Sequence, residues 1–161
     1  MIEKSVFCTA LVIACGISAA GQVEDRAKIA LVNKIYKDMR FLPYADANLI
    51  RLAKLGEHIE HTSKAITEHS DLGCEMWEHG YLGMGNGDSE IPHVQKLKIQ
   101  LHNNGWVKTQ YMAEGKEKRT VDFLMICQGN VCKVSDVVLA GVSSYKKDWQ
   151  YVVKHKKCPL S

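Results

Sequence analysis

Four cysteines constrain this chain more than any other feature. The sequence of 161 residues holds 6 cysteines. Cys8 and Cys15 fall inside an N-terminal apolar stretch with the marks of an export signal, which leaves Cys74, Cys127, Cys132 and Cys158. An even number in an exported chain reads as a disulfide framework, and four cysteines allow three connectivities. The segment Cys127-Gln-Gly-Asn-Val-Cys132 places two of them at the ends of a four-residue turn. If the flanking strands pair there, the two residues face one another across a hairpin, close enough for a bridge. Cys74 then pairs with Cys158 and ties the C-terminal tail to the middle of the chain. No close C-x-x-C pair is present, so the set is not read as a zinc site, and no metal or other cofactor is expected.

The export signal has three parts. Met1 to Lys4 is a short leader with one lysine, Ser5 to Ile17 is charge-free and mostly apolar, and Ser18-Ala19-Ala20 supplies small residues for a peptidase. The apolar part is shorter than the roughly 20 residues needed to span a bilayer. Cleavage after Ala20 divides the chain into a signal peptide, residues 1–20, and a single domain, residues 21–161. A competing cut exists, because Val12-Ile13-Ala14-Cys15 resembles a bacterial lipobox and would make Cys15 an acylated first residue. Either route places the domain outside the cytoplasm, in the periplasm, with membrane attachment only through such a lipid.

The charge balance is mild: 21 Lys+Arg against 18 Asp+Glu, a net charge of +3. That does not point to a nucleic-acid partner. About 140 mature residues are enough for one domain with a real core.

The apolar period changes along the chain. Val23, Ala27, Leu31, Ile35 and Met39 recur every four residues and predict an amphipathic helix over 23–39, ended by Phe41-Leu42-Pro43. Asp46 is a candidate N-cap for a second helical stretch carrying Leu49, Leu52, Ile59 and Ile66, with Gly56 expected to break it in two. Residues 69–92 are rich in glycine and polar residues, a long loop of the kind that often carries function. Beyond Pro92 the period becomes two. Leu97, Ile99 and Leu101 alternate with Lys98, Gln100 and His102, and Asn103-Asn104-Gly105 marks a hairpin into a return strand over 106–112. Strands over 120–127 and 131–138 follow, and Ser143 or Ser144 caps a last short helix with Tyr145, Trp149 and Val152 on one face. The expected fold is α+β: N-terminal helices packed on a curved four-stranded antiparallel sheet, with a short C-terminal helix.

Val121-Asp-Phe-Leu-Met and Cys132-Lys-Val-Ser-Asp-Val137 together resemble the closing hairpin of nuclear-transport-factor-2-like (cystatin-like) domains, in a bacterial exported branch of unassigned function. The layout likeness covers residues 24–155. Cys132 stands where that family usually has an aromatic residue. The resemblance implies a cone-shaped fold with a pocket between sheet and helices, and it implies no particular chemistry, because one fold hosts many functions.

Candidate chemistry is sparse. Asp122 shares strand parity with Leu124 and Ile126; pointing inward, a desolvated carboxylate could act as a base, and the competing reading is a solvated strand-end carboxylate or one that holds a loop. Asp136 is expected to be structural, bonding backbone or a helix end. His58 and His61 stand three apart on a helix, with no third metal ligand at a fixed spacing, and read as a polar face. No G-x-S-x-G, H-E-x-x-H or phosphate-binding loop occurs, so no catalytic residues are assigned. The glycine-rich segment is the sharper feature. Trp77, Tyr81, Met84 and Asp88 are the candidate binding residues, because aromatic residues on an ordered loop often anchor partners. The competing reading makes Trp77 and Leu82 core residues that plug the open end of the cone. The basic run Lys154 to Lys157 fits a solvated helix end or an acidic partner. The function expected is a non-enzymatic envelope protein that binds another protein, such as an inhibitor or immunity protein against a secreted toxic effector. The alternative is a small-molecule-binding or isomerase-like domain that uses the cone.

Overall fold

The helical period of the N-terminal half and the two-residue period of the C-terminal half become two packed layers. The computed structural model describes residues 19–68, 73–74, 76, 82, 94–112, 118–139 and 144–159. Helix α1 (Ala19–Asp38) is followed by a 3-10 turn (Leu42–Tyr44), α2 (Ala47–Thr62) and α3 (Lys64–Thr67). Strands β1 (Gln95–Leu101), β2 (Trp106–Met112), β3 (Lys118–Gln128) and β4 (Val131–Leu139) come next, and α4 (Tyr145–His155) closes the fold. The strands form one antiparallel sheet in the order β1-β2-β3-β4. The fold is therefore α+β, and the sheet is open rather than closed into a barrel.

Helix α1 buries Val32, Ile35, Tyr36 and Met39, the i, i+3, i+4, i+7 stripe of an amphipathic helix. It ends in a Schellman turn, with the amide of Arg40 donating to the Ile35 carbonyl at 3.3 Å and Met39 at φ 49°. A left-handed non-glycine residue costs roughly 1 kcal/mol. Burial of the Met39 side chain offsets that cost. The chain then runs beside β4. Ala45 bridges Val134 in parallel, and the amide of Asp46 donates to the Val134 carbonyl at 2.8 Å.

Asp46 caps α2 as expected, its carboxylate accepting from the Leu49 amide at 2.7 Å. The expected break at Gly56 does not occur. Helix α2 runs through it to Thr62, and the interruption falls at Ser63. Gly56 is instead a contact point, for a Cβ there would lie 2.7 Å from Cδ2 and Cζ3 of Trp149, and closer still to Cε3. The glycine lets α4 lay its indole directly on the α2 backbone. Around it Leu49, Ala53 and Ile59 of α2 face Tyr145, Trp149 and Val152 of α4 in the core. Phe41 meets Tyr145 edge-to-face with ring centroids 5.0 Å apart.

The cysteine reading holds in both pairs. Cys127 and Cys132 are directly opposed across the β3–β4 hairpin and bridged, with Cα atoms 4.1 Å apart. Cys74 is bridged to Cys158, with Cα atoms 5.0 Å apart. No helix among the described residues is long and apolar enough to cross a membrane. Residues 1–18, including Cys15, lie outside the described residues.

Candidate functional site

The buried face of the sheet is where a cone-shaped fold would hold its pocket, and there the described residues present close-packed aromatic and aliphatic side chains. Strand β2 contributes Val107, Thr109 and Tyr111, and β3 contributes Val121, Phe123 and Met125, all buried. Helix α1 lies over β3 and β4 and drives Tyr36 into this face. The Tyr36 ring packs edge-to-face on Tyr111 at 5.4 Å and on Phe123 at 6.1 Å between centroids. Its hydroxyl shares a 2.6 Å hydrogen bond with Oγ1 of Thr109, which donates to the Val121 carbonyl at 2.8 Å. The Tyr111 hydroxyl donates to the Leu82 carbonyl at 2.6 Å. These buried hydroxyls thus satisfy one another and the backbone.

Two of these residues, Thr109 and Tyr111, were not singled out by the sequence reading. Their signal was present, because Val107, Thr109 and Tyr111 alternate along β2 and so share one face.

Asp122 does not point into this face, which removes the inward-facing reading and leaves the competing one. The buried parity of β3 is Val121, Phe123 and Met125, while Ile126, which shares the parity of Asp122, is 55% exposed. Both parities of β3 carry apolar residues, so the alternation alone could not choose between them. The docking of α1 on the face of Phe123 made the choice. Asp136 is structural as expected. Its carboxylate accepts from the Ser144 hydroxyl at 2.7 Å and from the amides of Val137 and Lys146 at 2.8 and 3.0 Å. Ser144 in turn caps α4 by accepting from the Lys147 amide. His58 and His61 are exposed on α2.

The candidate binding residues Trp77, Tyr81, Met84 and Asp88 lie outside the described residues. Their flanks are described and anchored. Gly73 turns at φ 70°, and the Cys74 amide donates to the carboxylate of Glu60 on α2 beside the Cys74–Cys158 bridge. Met76 and Leu82 are both buried, and Leu82 receives the Tyr111 hydroxyl. Leu82 is therefore core, as the plug reading had it. The basic C-terminal run comes close to the same place, since the Ser63 hydroxyl donates to the Lys156 carbonyl and Cys158 is bonded to Cys74.

On the opposite face of the sheet, an open groove of ≈ 230 Å³ crosses β1, β2 and the start of β3, where Lys96, Lys98, Gln110, Met112 and Lys118 line it. The strand register explains it, with Lys98 beside Gln110 and Met112 beside Lys118. Among the described residues no hydrogen bond or ion pair engages the side chains of the three lysines. Among the described residues no cluster of three or more His, Cys, Asp or Glu side chains could hold a metal.

Burial pushes the Tyr145 phenol up to about 12, with Glu57 and Glu60 pushing the same way and the neighbouring Trp149 opposing. Burial raises Tyr36 as well. An unfolded tyrosine ionises near pH 10. Below that pH the phenol is neutral in both states and stability is unaffected. Between about 10 and 12 the unfolded chain loses the proton and the folded chain keeps it, so stability falls. Denaturant melts at pH 8 and 11.5 should differ by about 2 kcal/mol from Tyr145 alone, with Tyr36 adding in the same direction. A flat profile to pH 11.5 would mean that the α2–α4 interface does not shield the phenol.

No family model, no curated protein and no solved structure matches this chain.

Proposed function

We propose that this chain is an exported, doubly disulfide-bonded domain that binds another protein through its surface and carries out no reaction of its own. The observation that carries this reading is the close packing of the described residues on the inner face of the sheet. Tyr36, Tyr111 and Phe123 occupy the face where a cone-shaped fold would hold a ligand, and the two tyrosine hydroxyls are already bonded, to Thr109 and to the Leu82 carbonyl. A ligand entering there would have to displace close-packed aromatic rings and leave buried polar groups unpaired, which costs about 1–3 kcal/mol per group. Asp122, the carboxylate first considered as a base, lies on the other face. These facts weigh against the small-molecule or isomerase reading.

Two disulfides suit an oxidising compartment, and residues 1–20 have the composition of an export signal, with Cys15 the acylation site if the lipobox is used. In this reading the home of the protein is the periplasm, and its fold is a variant of the nuclear-transport-factor-2-like plan. An inhibitor or immunity protein against a secreted toxic effector is the concrete form we favour, since such a protein needs a rigid surface and no catalytic set.

The contact surface we assign is the segment carrying Trp77, Tyr81, Met84 and Asp88, together with the adjacent basic tail. The Cys74–Cys158 bridge and buried Leu82 anchor the chain on either side of Trp77 and Tyr81, and aromatic residues are enriched among the anchors of protein interfaces. The partner is expected to co-purify with the protein from native envelopes. Joint replacement of Trp77 and Tyr81 by alanine should weaken its capture at least ~30-fold, the loss of one hot spot of about 2 kcal/mol, with the far-ultraviolet circular dichroism unchanged. Undiminished capture by that variant would remove this segment as the site.

A further inference from the structure

The two edges of the sheet are unlike. The β4 edge is covered, with Ala45 bridged to Val134 and Ser144 bridged to Val138. The β1 edge pairs with no described residue on its outer side, because β1 is terminal in the sheet and bonds only β2. Among the described residues this edge leaves a row of main-chain donors and acceptors unpaired, a template that another polypeptide strand can use.

The side chains along this edge sort into two rows. Leu97, Ile99 and Leu101 are partly buried and pack against the core. Lys96 and Lys98 are exposed and, with Lys118 from β3, frame the groove floored by Gln110 and Met112. Lys96 sits in a bulge between Gln95 and Lys98 at φ 55°. Lysines and bulges on an edge strand discourage like strands from pairing. The edge of a second copy of this chain would bring lysine against lysine, so self-association through β1 is disfavoured. An acidic strand meets the opposite situation.

We propose that the β1 edge is a docking site for an extended acidic segment of a partner protein, added as a fifth strand. The segment would alternate acidic and apolar residues, its carboxylates beside Lys96 and Lys98 and its apolar side chains continuing the row of Leu97, Ile99 and Leu101. Strand periodicity imposes that pattern, because successive side chains of an added strand fall on opposite faces. An anionic lipid surface could satisfy the lysines but could not use the main-chain groups, and on that ground the polypeptide is the better occupant. This inference rests on the protein-binding reading and names a second surface for it.

The test uses the intact protein and an end-blocked peptide of alternating valine and glutamate, seven residues long. Its controls are the same peptide with lysine in place of glutamate, and phosphatidylglycerol vesicles. The acidic peptide is expected to slow amide exchange of alternate β1 residues at least ~10-fold. The double variant Lys96→Glu, Lys98→Glu should weaken its binding by about tenfold or more, and raised salt should act in the same direction. Unchanged circular dichroism would show that these exposed substitutions leave the fold intact. Absence of protection in β1, equal binding of the lysine peptide, or vesicle binding with the same lysine dependence in place of peptide binding would each overturn the proposal. If the peptide fails while the native partner is still captured, the edge assignment is wrong and the protein-binding reading stands.

Discussion

Joint replacement of Cys74 and Cys158 by serine is expected to destabilise the domain by about 4.5 kcal/mol, the chain-entropy value for a loop of this length. The bridge spans 84 positions in sequence, whereas Cys127–Cys132 spans 5. The same relation gives about 2 kcal/mol for the hairpin bridge, so the two double variants should differ by a factor of about two in lost stability. Equilibrium denaturation by guanidinium, with both variants measured against the oxidised parent, makes the comparison. For a domain whose whole stability is of order 5–15 kcal/mol, loss of the long bridge removes a large fraction of it. The local structure adds to the effect. Cys74 also donates its amide to Glu60, and the tail is held by Ser63 through the Lys156 carbonyl, so the bridge fixes one corner where α2, the start of the glycine-rich segment and the C-terminus meet. Equal losses in the two double variants would show that the long loop is already restrained in the unfolded chain. Partner capture should also weaken in the Cys74/Cys158 variant and persist in the other, if the surface near residues 77–81 is the one that binds.

The second large effect is expected at Gly56. Alanine is the better helix former by about 1 kcal/mol, and in an exposed helix that gain would be realised. Here the added Cβ meets the Trp149 ring at distances no real contact allows, 2.7 Å to Cδ2 and Cζ3. Trp149 is 2% exposed and packed edge-to-face against Tyr145 at 6.0 Å between centroids, so the indole has little room to retreat. Overpacking typically costs 1–3 kcal/mol and occasionally more. Because the rigid indole must shift or α4 must lift, we expect Gly56→Ala to cost about 3 kcal/mol net of propensity. The check is a double-mutant cycle with Trp149→Leu. The two substitutions should couple by at least ~1 kcal/mol, since removing the ring relieves the clash. Additive losses, or a stabilised Gly56→Ala variant, would mean that α2 and α4 are not in direct contact at this point.

The likeness of the two halves of β3 shows why the candidate site was only partly legible. Asp122, Leu124 and Ile126 make as plausible an apolar face as Val121, Phe123 and Met125 until something packs on one of them. The docking of α1, with Tyr36 against Phe123 and Tyr111, breaks the tie. A register shift at Leu124/Met125 then readjusts β4, where Ser135 and Asp136 are both buried beside Val134 and Val137. The basic groove was hidden for a related reason. Lys96, Lys98 and Lys118 are read as isolated surface charges along the chain, and only the antiparallel register of β1, β2 and β3 brings them to one place.

What the sequence by itself determined was local. The change of apolar period from helix to strand set the α+β order. Asp46 and Ser144 supplied short polar side chains where helices begin, and the five-position spacing of Cys127 and Cys132 set a hairpin bridge, which left Cys74 for Cys158. Each of these follows from geometry within a few residues, or by exclusion from it. What only the tertiary structure decided was which of two equivalent strand faces is buried, whether Gly56 interrupts a helix or admits a ring, and which distant lysines share a groove. Those outcomes depend on what packs against the chain, and a periodic pattern carries no information about its neighbour.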